Sequence, residues 1–369
     1  MNQLFRWDQM GLFLLALAAG ILPFAVPEVC AAALREGLTL CSGPLLLSLF
    51  PFLVVSRLLI QCPESDLLAL PFRLAAWGIG IRTPCAARVL CIGFLGGFAP
   101  AASAAAQAVR TGQLTAEEAD ALLPSCICSG PSFVVLTVGQ SLLGSAELGV
   151  LLFASQITAN YLTAALLNRF AGMHSVKPGS AAPAFPAPPR LDEILADAAI
   201  TYCKLCGFIL FFRMLAAGAG ALLPAGAGTL CAVLLEVCSG CDLASRTGRW
   251  GSLLCCAALS VQGLSVLLQV RTICPPEMTL RPLYRSRLLH LPLSLALFYL
   301  LLPGGEADVF STLPARVLLK RRVPPDCALL VFAVCCMAAC TLRSGIRQVE
   351  QKQMARNAGG CCINSKTLL

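Results

Sequence analysis

The chain has 369 residues, 57% of them hydrophobic and only 12% charged, with a net charge of +8. A water-soluble domain averages about 25% charged residues, so a globule facing water on all sides is excluded and a polytopic membrane protein is expected. The basic excess lies in loops and in the C-terminal tail, where Lys and Arg hold topology against anionic lipid, and no nucleic acid is expected as a partner.

Crossing ~30 Å of hydrocarbon takes ~20 apolar residues in a helix. Gly11–Val26 is a short first span. It is taken as a retained helix, because the residues before it carry no net side-chain charge and Pro27-Glu28 follows directly. Glu28–Leu38 looks interfacial, with Arg35 and Glu36 on its polar side. Leu40–Ile60 is a second span, interrupted by Pro44 and Pro51. A mixed loop to Ala86 carries Glu64, Asp66, Arg73 and Arg82, and its Leu67–Trp77 part is expected along the surface. Residues 1–84 thus form an N-terminal block and 85–170 a first membrane half, in which Val89–Val109 crosses or re-enters and Pro131–Leu143 and Leu148–Phe170 add helices. Residues 171–190 hold a Pro/Ala/Ser-rich linker too poor in large apolar side chains to pack.

The second half, 191–342, opens on an amphipathic turn with Asp192, Glu193 and Asp197. Ile200–Leu223 follows as a span containing Lys204 and Arg213, then Ala225–Val237 and Trp250–Val270. A basic loop (Arg271, Arg281, Arg285, Arg287) precedes spans at Leu288–Leu302 and Cys327–Leu342. The tail, 343–369, is basic and expected in the cytoplasm. The sum is an all-α transmembrane bundle of about eight spans, with broken or re-entrant helices and two halves that are candidates for a repeat.

The centre of the chain is Gly93–Gly139. Gly93, Gly96, Gly97 and Pro100 interrupt an apolar segment, and Thr115 stands three residues before Glu118 as a capping box for a short acidic helix. Pro124 stops that helix, and Ser129-Gly130-Pro131 starts a new apolar run. Two apolar half-segments joined by a polar hairpin are how many transporters build substrate sites. The second half has breaks of its own, at Glu236 with Ser239-Gly240 and at Gln262-Gly263-x-Ser265 with Gln269. Each break frees backbone groups that lipid cannot satisfy. Gln107, Ser129, Ser132, Glu236, Ser239, Gln262, Ser265 and Gln269 are therefore candidate ligands for a solute or ion, with Gly130, Pro131, Gly240 and Gly263 opening the backbone. A carboxylate at membrane depth is costly, so Glu236 is expected to be protonated or paired, with Lys204 or Arg213 as partner.

Twenty-one cysteines face only two histidines. Cys203-x-x-Cys206 and Cys238-x-x-Cys241 have ligand-like spacing, but the first pair lies in an apolar helix and neither His174 nor His290 is near either pair in sequence. The cysteines are taken as small apolar packing groups, and neither metal nor cofactor is expected. There is no Gly-x-Ser-x-Gly, no His-Glu-x-x-His and no phosphate-cradling Gly-Lys-Ser, so no enzyme activity is expected.

These residues resemble the bacterial sporulation integral membrane proteins that carry a nucleoside-recognition (Gate) domain. That domain is also similar to parts of nucleoside transporters and of the ferrous-iron transporter's membrane region. The similar pieces are Gly97-Phe98-Ala99-Pro100-Ala101-Ala102, Gly112-Gln113-Leu114-Thr115-Ala116-Glu117-Glu118-Ala119 and Ser129-Gly130-Pro131-Ser132-Phe133, with Leu235-Glu236 before Gly240 and Gly263-Leu264-Ser265-Val266 with Gln269 in the second half. The proline of the first piece falls one residue late, Ala101 stands where the family has glycine, and Ser103 where it has a basic residue. The likeness runs from about Leu38 to Leu342. It implies a transporter-like role in endospore formation, in the mother-cell or forespore membrane, with no substrate specified. The partners expected are the bilayer, a small solute or ion, and a second copy or envelope-assembly proteins; the alternative is a non-transporting scaffold for that assembly.

Overall fold

The computed structural model describes residues 2–62, 65–170 and 190–302, and every regular element among them is helical. Apolar runs without polar alternation leave the backbone no partner but itself, and away from water a helix satisfies its N–H and C=O groups within one segment. The first block is α1 (Asn2–Ala25), α2 (Pro27–Ser42), α3 (Pro44–Gln61) and the short α4 (Ser65–Leu68) and α5 (Leu70–Gly78). Pro27 and Pro44 open their helices, where a missing N–H costs nothing. Then come α6 (Pro84–Gly96), α7 (Phe98–Arg110), α8 (Ala116–Cys126), a π-helical segment (Ser132–Leu142) and α9 (Ala146–Phe170). After the linker follow α10 (Leu191–Leu222), α11 (Ala225–Leu235), α12 (Val237–Ser245), a 3-10 turn (Gly248–Trp250), α13 (Gly251–Val261), α14 (Gly263–Ile273) and α15 (Arg281–Leu301).

Four stretches among the described residues are long and apolar enough to cross a membrane: Pro27–Leu47, Ala146–Phe170, Leu191–Leu222 and Gly248–Ile273. The rest of the apolar material is in shorter helices such as Pro84–Gly96 and Gly226–Leu235. Glu28–Leu38 is not a separate surface segment, as expected from its charges, but part of α2 and of the first apolar stretch. Leu40–Ile60 is not one helix either. The chain turns at Gly43, and Pro44, having no N–H, starts a new one. The linker body, the expected span Cys327–Leu342 and the tail lie outside the described residues.

From α6 to α9 and from α11 to α15 the chain runs through two similar successions of helices, with α10 between them. In the first half α6 and α7 meet at Gly97, α8 and the π-helical segment meet around Cys128–Pro131, and the long α9 closes the unit. In the second, α11 and α12 meet at Glu236, α13 and α14 meet at Gln262, and the long α15 closes the unit. Packing follows the same exchange. α8 lies on α15 as α13 lies on α9, α7 meets α14 as α12 meets the π-helical segment, and α9 and α15 pack on each other.

Small residues allow this density. α7 is buried on nearly every side, through Ala99, Pro100, Ala101, Ala102, Ser103, Ala104, Ala105, Ala106 and Ala108, and small side chains let helix axes approach closely. Gly139 and Gly149 place the π-helical segment against α9 so tightly that a Cβ on Gly139 would stand 2.4 Å from the Gly149 Cα. The capping box forms, with Thr115 Oγ1 accepting from the Glu118 N–H at 3.1 Å and Glu118 Oε2 accepting from the Thr115 N–H at 3.0 Å. Large apolar side chains also point outward: Leu47, Leu288 and Leu300 are 77–78% exposed and Phe170 is 85% exposed. Water would penalise such a surface, and hydrocarbon would not.

Candidate functional site

The backbone breaks pack against each other in pairs. Gly97, at φ 82° between α6 and α7, lies against the extended chain after α8, and a Cβ there would stand 2.6 Å from the Gly130 nitrogen. Gly263, at φ 69°, lies against the α11–α12 junction, 3.0 Å from the Glu236 nitrogen by the same measure. Only glycine combines a left-handed backbone with so close an approach. Gln262, the residue before it, takes φ 66° and is 1% exposed.

Between the two pairs lies a cavity of about 50 Å³. Gly96, Ser129, Gly130 and Ser132 face it from the first half, Glu236 and Gln269 from the second, with Leu45, Leu49 and Ile209 on its apolar side. Its polar surface is rich in acceptors. Glu236 ends α11 and caps α12, with Oε1 accepting from the Cys238 N–H at 2.8 Å and Oε2 from the Ser239 N–H at 2.7 Å. The carboxylate thus sits on the positive end of α12. Gln269 donates from Nε2 to Ser265 Oγ at 2.9 Å, while its Oε1, fully buried, has no partner among the described residues. An unpaired buried carbonyl costs about 1–3 kcal/mol.

Glu236 therefore is not paired with Arg213 or Lys204. Arg213 Nη2 donates to Glu36 Oε2 at 2.7 Å, and backbone N–H groups do for Glu236 what a cation was expected to do. Of the other expected ligands, Ser239 supplies its N–H, Ser265 its hydroxyl to Gln269, and Gln262 turns its amide back to Leu259 O at 2.8 Å. Gly263 holds one break and Gly240 sits beside Val233, closing α12 onto α11. Pro131 is the residue that opens the π-helical segment. Gln107 is half-buried in α7 and does not line the cavity.

Two buried charged residues, Arg287 and Asp120, join the helices around the site. Arg287 was expected in a basic loop; α15 begins earlier, at Arg281, and carries it into the core at 8% exposure. Its Nη1 donates to Ile127 O at 3.4 Å and Ser260 O at 3.5 Å, and Nη2 to Asn160 Oδ1 at 3.3 Å. Those carbonyls are at the C-terminal ends of α8 and α13, the negative poles of the two helices. Asp120, in α8, reaches across to the start of α15. Its Oδ2 accepts from the Thr279 N–H at 2.8 Å and its Oδ1 from the Leu280 N–H at 3.0 Å. Nothing in the local sequence marks either partnership, since each joins residues about 30 to 160 positions apart.

No family model, curated protein or solved structure matches the chain. Among the described residues no group of three or more His, Cys, Asp or Glu could hold a metal ion.

Proposed function

We propose that this chain is a transporter-like membrane protein acting in sporulation, in which the inner cavity binds a small cation, or the N–H or O–H donor of a small solute, between two pairs of discontinuous helices. The observation that carries this reading is that three of the four breaks, those at Gly96–Phe98, Ser129–Gly130 and Glu236, border one cavity, which Gln269, whose buried carbonyl has no partner among the described residues, also lines. A buried acceptor left without a donor is a stabilisation forgone, and a bound cation or donor would restore it. Discontinuous helices at midmembrane are where transporters place such sites. The cavity has room for a few waters or one ion, each water needing about 10–15 Å³, and not for a nucleoside. Admission of a larger solute thus requires α7, α12 or the π-helical segment to move. The sporulation role rests on the resemblance of the break motifs.

The test is thermal unfolding of the purified chain in detergent, in chloride salts of lithium, sodium, potassium and choline at equal ionic strength. A ligand bound only by the folded state at 100 times its Kd stabilises by about 2.7 kcal/mol. One alkali cation should raise the midpoint, and neither Glu236→Gln nor Gln269→Leu should respond to it. Identical midpoints in all four salts, with no response to protons either, would sink the cation reading and favour the scaffold.

A further inference from the structure

Beside the inner cavity lies a second one, of about 170 Å³, and Gln269 lines both. Its charges are the reverse of its neighbour's. Arg57 of α3, Arg110 of α7 and Lys204 of α10 face a single acid, Asp197. Arg57 donates from Nη1 to Asp197 Oδ2 at 2.6 Å and from Nη2 to Thr201 Oγ1 at 3.4 Å. Its side chain is 11% exposed, and its Nε has no acceptor among the described residues. Neither Arg110 nor Lys204 is in an ion pair among the described residues.

A cation at a helix C-terminus ordinarily complements the helix dipole, and that accounts for Arg110, the last residue of α7. It does not account for the other two. Lys204 lies well inside α10, and Arg57 is committed to a carboxylate that is itself 61% exposed. Three cations drawn together against one acid repel each other unless an anion joins them. A guanidinium with a spare N–H, next to an ammonium, matches the oxygens of a tetrahedral anion.

We propose that this outer cavity is a binding site for a phosphate-type anion, carried by a lipid headgroup or by a soluble phosphorylated solute. Arg57, Arg110 and Lys204 are its ligands. Asp197 occupies Arg57 when the anion is absent and competes with it for the guanidinium. The site asks nothing of Glu236, so it stands or falls apart from the inner cavity.

The test uses the full chain in nanodiscs of phosphatidylcholine, with radiolabelled inorganic phosphate as the probe. Saturable binding should appear and weaken with ionic strength. Lys204→Gln removes one charged contact from a side chain that holds nothing else among the described residues, and should weaken binding about tenfold. Asp197→Asn should bind phosphate more tightly, and Arg57→Lys, which keeps the charge but loses the planar fork, should bind it more weakly. A second arm repeats the measurement in discs containing phosphatidylglycerol. Loss of phosphate binding there, with the anionic lipid retained through purification, assigns the site to a headgroup; unchanged binding assigns it to a soluble solute. Absence of both saturable phosphate binding and retained phosphatidylglycerol overturns the proposal. So does binding that Lys204→Gln leaves unchanged in a protein that still elutes as a single folded species.

Discussion

Glu236 holds its carboxylate at 2% exposure by giving both oxygens to the N–H groups of the helix it opens. Glu236→Gln keeps one of those acceptors, so its unfolding midpoint in choline chloride should drop by the equivalent of about 1 kcal/mol, the usual worth of a cap. Loss of any cation response in the same protein would then report on charge and not on folding. The glycines allow a sharper comparison. Gly97 and Gly112 both have positive φ, 82° and 69°, but only Gly97 has a neighbour where a Cβ would go. Gly112→Ala should cost about 1–2 kcal/mol, the penalty of a left-handed backbone alone. Gly97→Ala adds a 2.6 Å clash with the Gly130 backbone, which no rotamer relieves, and should prevent the two breaks from pairing. Equal thermal stability of the two variants would show that the breaks do not touch.

At the scale of elements, α8 is joined to α15 by one carboxylate. Asp120 accepts from the N–H groups of Thr279 and Leu280 and from the Thr279 hydroxyl at 2.6 Å. It thereby caps the N-terminus of a helix far from it in sequence. Charged hydrogen bonds are worth about 1.5–3 kcal/mol each, and three that share one group act together. Asp120→Ala should lower stability by about 3 kcal/mol, read by chemical or thermal unfolding in detergent, and should raise proteolysis between α14 and α15. A loss under about 1 kcal/mol would mean that water replaces the carboxylate without penalty. An acid in the first turns of a helix ordinarily favours that helix's own positive end, and Asp120 instead serves a different helix.

Across the whole molecule the two halves share Arg287, and the sign of its contribution depends on two opposed terms. Burying a guanidinium with no carboxylate partner is costly, while its long bonds of 3.3–3.5 Å satisfy carbonyls that the breaks leave open. Ile127 O also accepts from Asn160 Nδ2 at 3.3 Å, so removal of the arginine orphans little. Arg287→Met, near in volume, should stay within about 1 kcal/mol of the parent, whereas Arg287→Ala leaves a void and should cost about 3 kcal/mol. A large loss in the methionine variant would show that the charge itself binds the halves. Deletion of the gene in a spore-forming host should lower spore yield and strand one solute on the wrong side of the forespore membrane. Reduced yield with an unchanged solute distribution would favour the scaffold, and normal yield would refute a sporulation role.

The sequence by itself determined the helical class and the capping box at Thr115, because these follow from apolar content and from a cap three residues long. It also marked Ser129, Gly130, Ser132, Glu236 and Gln269, all of which line the inner cavity. Only the tertiary structure decided that the breaks pair as Gly97 with Gly130 and Gly263 with Glu236, and that Arg213 answers Glu36 while Glu236 is held by N–H groups. It alone assembled Arg57, Arg110 and Lys204, from three separate helices, around one cavity. Local propensity is written in neighbouring residues, but a partner for a buried charge is chosen by which helices meet, and that depends on the packing of the whole chain.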